Sequence, residues 1–595
     1  MTKKFLKTFH LKFSISMRKN IKIIFIKLLP PFIFSLIKFI IIKLNRFNKN
    51  YDERRFWNGQ TVLADTENNF TEYFDDLIKK NIFYVTKEFE TKECIKINSG
   101  ETLNLKLKDF YSLEDIFKIS ITLDSDKFSE RNFLLTSNKT KLIDFKDLKP
   151  NRWYNTVLKA KEINKEIKLV NNLNKHLYFS ISHNSPSKNS FGNDKKKNII
   201  FILLDDVDKD GFYNAYNDSI YLKKFFKNSI HYKNAYSVAE WTVPSLTSIL
   251  TGKYPSQHGC FDLDFIKKIK DPFNKIFLLE QLKKNKFNRF AISRSKVHHP
   301  GYKFNKHFDR FKFYVDTFDT NVEFDEKIPF DLIENLESSK DQNNFCFVDF
   351  VSTHAPYFDT SYSESFYLSR YSSLDPEKEY YNSIYDRGDT PIESYLKKDT
   401  VENLKLRQFA RLKKLDVLIG HFLSYLNEKC NEEENIVILT ADHGPLHLGN
   451  KGDPLLNRKR TNVPLLIYNS SKNNAKTEVN DYVSNFKIVN EAINFFSTEN
   501  EINFNEFYEK NLKSSYIISE SIFNDKCKIC LRSEDYDFYY HCRFEPNNNL
   551  IDFEDKQLEK LDKFNENIID DLSIIQKSKA IIKEHLNNSK LLKVI

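Results

Sequence analysis

Five short apolar segments separated by helical stretches restrict the folds that this chain can adopt. The first, Asn198–Leu204 (NIIFILL), is bounded by charged residues and is apolar after its first position. Such a run is typical of a strand buried on both faces of a parallel sheet. Alternation of these strands with helices predicts an α/β core on a mostly parallel sheet. The other predicted strands are Phe290–Ser293, Asn344–Phe350, Ile436–Thr440 and Val463–Tyr468, and the predicted helices are Ser219–Lys227, Pro244–Leu250, Phe277–Lys284, Asn403–Asn427 and Ile488–Phe496.

The chain before this core has a different periodicity. Residues 81–182 contain short segments in which apolar and polar positions alternate, separated by turn residues such as Asn98-Ser99-Gly100. This pattern predicts an N-terminal β-sandwich domain. The stretch His183–Lys197 (HNSPSKNSFGNDKKK) is the clearest linker, because Ser, Asn, Gly and Lys cluster there. The predicted units are an N-terminal segment over 1–50, a β-rich accessory domain over 51–190, a catalytic domain over 196–500 and a C-terminal subdomain over 501–595, with a small antiparallel unit at 516–550 and helix at 553–590.

The N-terminal segment combines basic and apolar character. Residues 1–22 carry no acidic side chain, and residues 23–44 are strongly apolar but contain Lys27, Lys38 and the pair Pro30-Pro31. A spanning helix needs about 20 residues with almost no charge. We consider three interpretations, an interfacial anchor, a helical hairpin packed on the protein, and a true span or uncleaved signal. The first favours a cytoplasmic protein that is peripheral to a membrane, and an extracytoplasmic anchored form is the alternative.

Charge and cysteine content argue against a nucleic-acid binder and against a structural zinc site. Lys and Arg exceed Asp and Glu by 92 − 82 = 10, a small excess for this length that does not predict a nucleic-acid binder. The seven Cys residues include one CxxC pair, Cys527 and Cys530, with no second pair at zinc-site spacing. Reduced thiols of a cytosolic protein are the simpler interpretation.

Acidic and imidazole side chains follow two of the predicted buried strands. Asp205-Asp206 comes directly after Asn198–Leu204, and Asp442-His443-Gly444 follows Ile436–Thr440. Ligands of open α/β sheets bind outside the carboxyl ends of the strands. Adjacent acids there repel one another unless a cation neutralises them. The pattern therefore predicts a metal site, against the simpler alternative of solvated turns.

Two further segments carry hydroxyl and imidazole groups near element ends. Thr242 precedes Pro244 in a segment that ends at Gly252, which predicts a helix beginning just after Thr242. A hydroxyl there would lie among unsatisfied N–H groups at the positive end of the helix dipole, although Thr242 could equally be a simple N-cap. His354 follows the strand Asn344–Phe350 and could protonate a leaving group or be structural.

Taken together, these segments resemble a known family. NIIFILLDD, AYSVAEWTVPSLTSILTGKYPSQHG, FCFVDFVSTHAPY, IVILTADHG and RTNVPLLIY occur in the order seen in sulfatases. The chain resembles the sulfatase-like branch of the alkaline phosphatase superfamily, which includes phosphoethanolamine and phosphoglycerol transferases, over about residues 198–555. The resemblance implies an α/β, alkaline phosphatase-like three-layer sandwich with a mostly parallel central sheet, a metal at its carboxyl edge and a small C-terminal antiparallel subdomain.

The resemblance also assigns roles to individual residues. It implies one divalent cation, for which Mn²⁺, Mg²⁺, Ca²⁺ and Zn²⁺ all suit oxygen ligands plus an imidazole. A second anion-binding lysine would be Lys451 or Lys459. The implied metal ligands are Asp205, Asp206, Asp442 and His443, the implied nucleophile is Thr242, His354 would meet the substrate or leaving group, and Lys296 and His298 would bind the anion.

Two departures from the sulfatase pattern are informative. Sulfatases have Cys or Ser, later oxidised to formylglycine, where Thr242 stands, and Arg where Leu246 stands. Thr cannot become that aldehyde, so no formylglycine is expected, whereas the related transferases use a Thr nucleophile. We therefore predict a metal-dependent hydrolase or phosphotransferase acting on phosphate or sulfate esters. The alternatives are a true sulfuric ester hydrolase with an atypical nucleophile and a non-catalytic glycan-binding member of the fold.

The β-rich domain suggests a substrate class. Trp153, Tyr154 and Phe179 could stack on sugar rings, or they could belong to a core. If these residues stack on sugars and the apolar N-terminal segment is an anchor, we predict that the substrate is a phosphorylated or sulfated glycan or a lipid-linked precursor of one.

Overall fold

The computed structural model describes the greater part of the chain from Phe74 to Asn588. The described residues are 74–75, 82–87, 90–107, 116–124, 133–137, 140–145, 152–163, 166–184, 195–261, 277–295, 298, 304–314, 325–354, 357, 398–445, 456–470, 478–498, 516–523, 526–544, 550–551, 560–563, 567–568 and 571–588. The apolar segment 23–44 therefore lies outside them. Among the described helices, none has both the length and the apolar character needed to cross a bilayer.

The N-terminal part is a β-sandwich, as its alternating sequence predicts. One sheet has the order β1-β4-β9-β6-β7, and β2, β3, β10, β5 and β8 form the layer facing it. Alternate residues of β5, such as Phe117, Ile119 and Ile121, are fully buried between the layers. The elements are β1 (Phe74–Asp75), β2 (Ile82–Lys87), β3 (Glu90–Ile97), β4 (Thr102–Leu107), β5 (Ile116–Asp124), β6 (Phe133–Ser137), β7 (Thr140–Phe145), β8 (Tyr154–Lys159), α1 (Ala160–Ile163), β9 (Glu166–Val170) and β10 (His176–Asn184).

The aromatic residues considered for sugar stacking belong to this domain. Trp153 and Phe179 are buried, and Tyr154 is half-buried against the sandwich core. The core interpretation is therefore correct for Trp153 and Phe179, because a buried ring has no face to offer a sugar.

The second part is a three-layer α/β sandwich. All eight residues of its central strand β11 are buried. Ile199, Phe201 and Leu203 face one helical layer, and Ile200 faces the opposite one, as expected for a strand covered on both faces. The elements are β11 (Lys197–Leu204), α2 (Lys209–Asn217), α3 (Tyr221–Phe225), β12 (Ile230–Tyr236), α4 (Thr242–Thr251), α5 (Pro255–His258), α6 (Phe277–Lys284), β13 (Phe287–Ser293), β14 (Arg310–Tyr314), α7 (Ile328–Ser338), β15 (Asn343–Phe350), α8 (Lys398–Lys429), β16 (Glu434–Ala441), α9 (Arg458–Thr461), β17 (Leu465–Asn469), β18 (Glu478–Ser484) and α10 (Asn485–Thr498).

The central sheet is mostly parallel, with one correction to the predicted topology. Its order is β18-β12-β17-β16-β11-β15-β13-β14, and β11 pairs in parallel with both β15 and β16. The apolar run Val463–Tyr468 had suggested another parallel strand, but β17 is antiparallel to β16 and β12.

The sandwich and the α/β core share one sheet. Strand β14 pairs antiparallel with β3, with Phe313 opposite Thr91 and Tyr314 opposite Glu90. Within the described part of the chain this pairing extends the central sheet to 13 strands. The N-terminal sandwich is thus joined to the α/β core through backbone hydrogen bonds.

A row of buried asparagines fixes the register of four neighbouring strands. Asn288, Asn344, Asn198 and Asn435 occupy paired positions at the starts of β13, β15, β11 and β16. Each side chain bonds to the next, at 2.8 Å for Asn288 to Asn344, 3.2 Å for Asn344 to Asn198 and 2.8 Å for Asn198 to Asn435. A slipped strand would leave these buried amides without partners, which is costly.

We expect Asn344→Ala to destabilise the fold by about 3 kcal/mol, because the amides of Asn288 and Asn198 would each lose a buried partner. The measurement is the midpoint of thermal unfolding. The matched control is Asn214→Ala, at an exposed position of α2. Equal midpoints for the two variants would contradict the role assigned to the row.

The C-terminal part is a small antiparallel sheet with one helix packed on it. Sequence periodicity had predicted helix throughout 553–590, and this is wrong at its start, because Lys560–Lys563 pairs as a strand with Asp537–Tyr539. Glu520 ties the sheet to the core by accepting hydrogen bonds from the Ser256 N–H and hydroxyl, both at 2.7 Å. The elements are β19 (Ile517–Phe523), β20 (Lys526–Arg532), β21 (Asp537–Phe544), β22 (Leu550–Ile551), β23 (Lys560–Lys563), β24 (Asn567–Ile568) and α11 (Leu572–Asn588).

Candidate metal and nucleophile site

The polar residues predicted to act together meet at the carboxyl edge of the central sheet. Asp205 follows β11, and Asp442 follows β16, the parallel neighbour of β11. Since parallel strands end at the same edge, residues 237 positions apart in sequence become neighbours. Asp205, Asp442 and His443 are all buried, with at most 3% of each residue exposed.

Three of these side chains could hold one cation. One ligand atom each from Asp205, Asp442 and His443 lies within 4.8 Å of the others. The His443 Nε2 atom is 3.3 Å from Asp442 Oδ2 and 4.0 Å from Asp205 Oδ1. Such a set, two carboxylates and an imidazole nitrogen, suits a divalent metal ion.

Asp206 contacts the other nitrogen of the same imidazole ring. Its Oδ1 is 3.2 Å from His443 Nδ1, so a proton on Nδ1 directs Nε2 toward Asp442. Carboxylates commonly orient metal-binding histidines in this way. The backbone of Asp206 has φ 63°, in the left-handed region, and the Gln408 side chain of α8 donates a 2.7 Å hydrogen bond to its carbonyl. The turn is thus held by a residue from a distant helix.

The charges of the cluster perturb one another. Burial, followed by the negative charges of Asp442 and Asp349, raises the pKa of Asp205 well above its usual value. Burial opposes ionisation of Asp206, but the hydrogen bond from His443 and the charge of His354 hold the pKa of Asp206 below its usual value. Carboxylates crowded in this way favour a bound cation.

Atoms without partners support the metal interpretation. Among the described residues, Asp442 Oδ2, His443 Nε2 and Asp206 Oδ2 are buried and have no hydrogen-bond partner. Buried polar atoms are normally satisfied, so these three atoms need an explanation. A divalent cation held by Asp205, Asp442 and His443 fits these residues, and Asp206, predicted as a fourth ligand, is not in this group.

Thr242 lies beside this cluster at the start of a helix. It is the first residue of α4, with Trp241 as the N-cap, so the helix begins two residues before the predicted start at Pro244. The Thr242 hydroxyl donates to Asp205 Oδ1 over 3.4 Å. A buried hydroxyl at a helix N-terminus is well placed to meet an anionic group.

The structure places the two predicted histidines at the same edge of the sheet and leaves Lys296 undescribed. His354 lies in the turn after β15, where its N–H donates to Val351 O over 3.0 Å. His298 is buried beyond the end of β13, beside Ser293. Lys296 and Lys451 lie outside the described residues, and Lys459 is exposed on α9.

Gly444 and Arg460 support the turn that carries His443. A Cβ atom on Gly444 would lie 2.6 Å from Arg460 O and 2.9 Å from Asp208 Cβ, so Gly is required here for close approach of the backbone. The buried Arg460 donates to the carbonyls of Gly444, at 3.1 Å, and Glu240, at 2.6 Å. It is the buried cation of α9, next to the exposed Lys459.

Sequence reasoning missed several residues that shape the site. Asp349 is fully buried in β15 and its charge reaches Asp205. A signal was available, since an acid inside the apolar run FCFVDF is unusual in a strand buried on both faces. No comparable signal pointed to Gln408, Ser293 or Arg460, because Gln, Ser and Arg are also common on protein surfaces.

Comparison with known proteins gives one family. The sulfatase family model matches residues 197–498, whereas no curated protein matches the chain. Solved structures with a similar fold include a 2-O GAG sulfatase (14% identity, TM-score 0.47, covering 67% of this chain and 93% of its own). Others are the phosphonate monoester hydrolase of Silicibacter pomeroyi (14%, 0.48, 67% and 97%) and a protein solved with its substrate D-glucosamine-2-N,6-O-disulfate (14%, 0.45, 67% and 98%).

Proposed function

The chain belongs to the sulfatase family of ester hydrolases, and from this membership we propose that it cleaves or transfers a phosphate or sulfate ester through Thr242. One observation carries the proposal. The Thr242 hydroxyl, at the start of α4, donates to Asp205 in the same pocket that gathers Asp442 and His443. A hydroxyl is a weak nucleophile until a neighbouring base or metal activates it.

The residues of the pocket divide the work of such a reaction. Asp205, Asp442 and His443 would hold the divalent cation, and Asp206 orients the His443 ring. When bound, the cation supplies positive charge that favours an ionised hydroxyl and stabilises an anionic ester. The Asp205 carboxylate accepts the Thr242 hydroxyl hydrogen bond, and the start of α4 favours negative charge.

The proposed reaction has two steps with balanced bonds. In the first, Thr242 Oγ1 passes its proton to Asp205 and forms a bond to the phosphorus or sulfur, while the bond to the leaving oxygen breaks and that oxygen takes a proton from His354 or His298. In the second, water or an acceptor hydroxyl gives its proton back to that histidine and attacks the same centre, and the bond to Thr242 breaks as its oxygen takes back the proton from Asp205. Water as acceptor makes the protein a hydrolase, and a hydroxyl makes it a transferase.

Phosphorus is the favoured centre. Thr242 stands where the formylglycine precursor stands in sulfatases, and Thr has no route to that aldehyde. The proposed mechanism is therefore direct attack by the hydroxyl, as in the related transferases. Sulfate esters remain the alternative, because the family itself is named for that activity.

The proposed substrate is an anionic glycan or a lipid-linked glycan. Two of the solved structures above concern sulfated sugars, and these sugars belong in any substrate panel. Since Trp153 and Phe179 are buried, sugar recognition would have to use other residues. Location at the cytoplasmic face of a membrane stays a prediction. Its test is to express the protein with and without residues 1–50 and to compare how much of each form fractionates with the membranes.

Incubating the protein with phosphodiester and sulfate-ester probes is expected to give a covalent adduct on Thr242, because the first step is completed before the acceptor attacks. Mass spectrometry of tryptic peptides measures it, and the added mass identifies the transferred group. An adduct on any other residue, or turnover with an unmodified Thr242 peptide after rapid quenching, would contradict the proposed nucleophile.

A further inference from the structure

A buried Ser–His–Asp cluster lies next to the metal and nucleophile site. The His298 Nδ1 atom is 3.0 Å from Asp349 Oδ2 and 2.7 Å from Ser293 Oγ. The Ser293 hydroxyl donates to the same Asp349 oxygen over 2.8 Å. All three residues are at most 2% exposed, so these contacts are shielded from water.

The sheet brings this cluster close to the carboxylates. Ile292 of β13 is paired with Val348 of β15, and the next residues, Ser293 and Asp349, hydrogen bond to each other. On its other side β15 pairs with β11, where Asp349 lies opposite Leu203. Asp349 therefore stands between His298 and the end of the strand that carries Asp205.

The imidazole ring of His298 is fixed from several directions. Phe304 stacks on it, with ring centroids 4.8 Å apart and planes 21° apart, and Phe347 meets it edge-on at 5.8 Å. Nδ1 faces Asp349 and Ser293, so Nε2 lies on the opposite side of the ring. Within the described residues Nε2 is buried and has no hydrogen-bond partner.

A purely structural role explains this arrangement poorly. A buried carboxylate is costly even when it is paired, and a core histidine normally satisfies both nitrogens. Here the second Asp349 oxygen, Oδ1, also lacks a partner among the described residues. One carboxylate that fixes one nitrogen while the other stays available is the arrangement found where histidines meet a ligand.

We propose that Asp349, with Ser293, is a positioning residue that holds the proton of His298 on Nδ1 and directs Nε2 toward the anionic group of the substrate. The inference rests on the proposed function, because it assumes an anionic ester in the pocket. When Nε2 also carries a proton, it can donate a hydrogen bond to an anionic oxygen of the substrate. Asp349 itself does not touch the substrate.

A double-mutant cycle tests whether Asp349 acts through His298. We expect Asp349→Asn to lower kcat/KM for the phosphodiester probe by roughly 10–100-fold, the effect usual for losing a partner that orients a functional histidine. His298→Gln should cost at least as much, and adding Asp349→Asn to it should cost nothing more. If the loss of kcat/KM in the double variant equals the product of the two single losses, the changes act independently and the proposal is overturned.

Controls separate positioning from stability. Asp331→Asn removes another buried carboxylate, which lies on α7 and accepts a hydrogen bond from the Tyr314 hydroxyl. This change should lower the unfolding midpoint without changing kcat/KM. If Asp349→Asn does not fold, Ser293→Ala is the second variant, because it removes one of the two groups that fix Nδ1. The proposal would be overturned if Ser293→Ala leaves kcat/KM unchanged and Asp349→Asn either leaves it unchanged too or does not fold.

Inorganic phosphate distinguishes this inference from the proposed function. Its affinity can be measured calorimetrically on the metal-loaded protein carrying Thr242→Ala, where no covalent step is available. Adding Asp349→Asn should weaken phosphate binding about 10-fold or more with metal content unchanged. Equal phosphate affinity would overturn the role of Asp349, whereas absence of any Thr242 adduct in the unmodified protein would count only against the nucleophile.

Discussion

Replacing Thr242 by Ala is expected to abolish turnover while leaving the bound metal in place. Removing a covalent nucleophile typically costs at least ~10³-fold in kcat. The hydroxyl contacts the cluster only through a 3.4 Å hydrogen bond to Asp205, so Asp442 and His443 keep their positions. Rates with the phosphodiester probe and metal content by elemental analysis are the two measurements.

Two further variants make the Thr242 prediction specific. Thr242→Ser restores a hydroxyl at the same position and should recover part of the activity. Thr247→Ala alters another buried threonine of α4 and should leave turnover close to that of the unmodified protein. Residual activity of Thr242→Ala within 10-fold of the unmodified protein would rule out the covalent mechanism (about 1.4 kcal/mol in transition-state stabilisation).

His443→Gln is expected to remove the metal and the activity together. His443 supplies the nitrogen ligand whose Nε2 faces Asp442 and Asp205, and the amide of Gln is a poorer ligand for most divalent metals. We expect a loss of activity on the order of 10³-fold, since the cation supplies several kcal/mol of charge stabilisation. Chelation of the unmodified protein should have the same effect, with recovery on addition of one of Mn²⁺, Mg²⁺, Ca²⁺ or Zn²⁺.

The control for His443 is a buried histidine outside the cluster. His231 lies in β12 and bonds to Tyr213 and to the carbonyl of Phe226, so His231→Gln should affect stability and leave metal content unchanged. Full metal content in His443→Gln would show that the cation is held elsewhere.

The central strand and the strand-end motifs could be predicted from sequence because their signals are local. The apolar run of β11 is followed at once by Asp205, and β16 by Asp442 and His443, so one strand–turn segment specifies both fold and chemistry. Parallel pairing then brings the ends together without further information. The family membership and the α/β fold predicted from these segments are confirmed.

The remaining features depend on pairing between distant segments. Strands β12, β14 and β18 are only partly buried and lack a continuous apolar run, so sequence reasoning missed them. The four-residue strand β23 is defined by its pairing with β21, and the periodicity of the sequence does not reveal such a pairing. Gln408 reaches the site from α8, whose own pattern predicts only packing. The roles that stay predictions are those of Asp205, Asp206, Thr242, Lys296, His298, His354, Asp442 and His443.

The shared sheet has a consequence for attempts to isolate the catalytic region. A fragment limited to residues 197–498, the part that matches the family, would lose β3 and expose the backbone edge of β14 that now pairs with it. It would also lose Glu520, which caps Ser256, and Arg532, whose guanidinium donates to Thr461 over 2.7 Å. Open strand edges invite self-association, so such a fragment would tend to aggregate, and evolution could exchange the accessory domain only for another that covers the same edge.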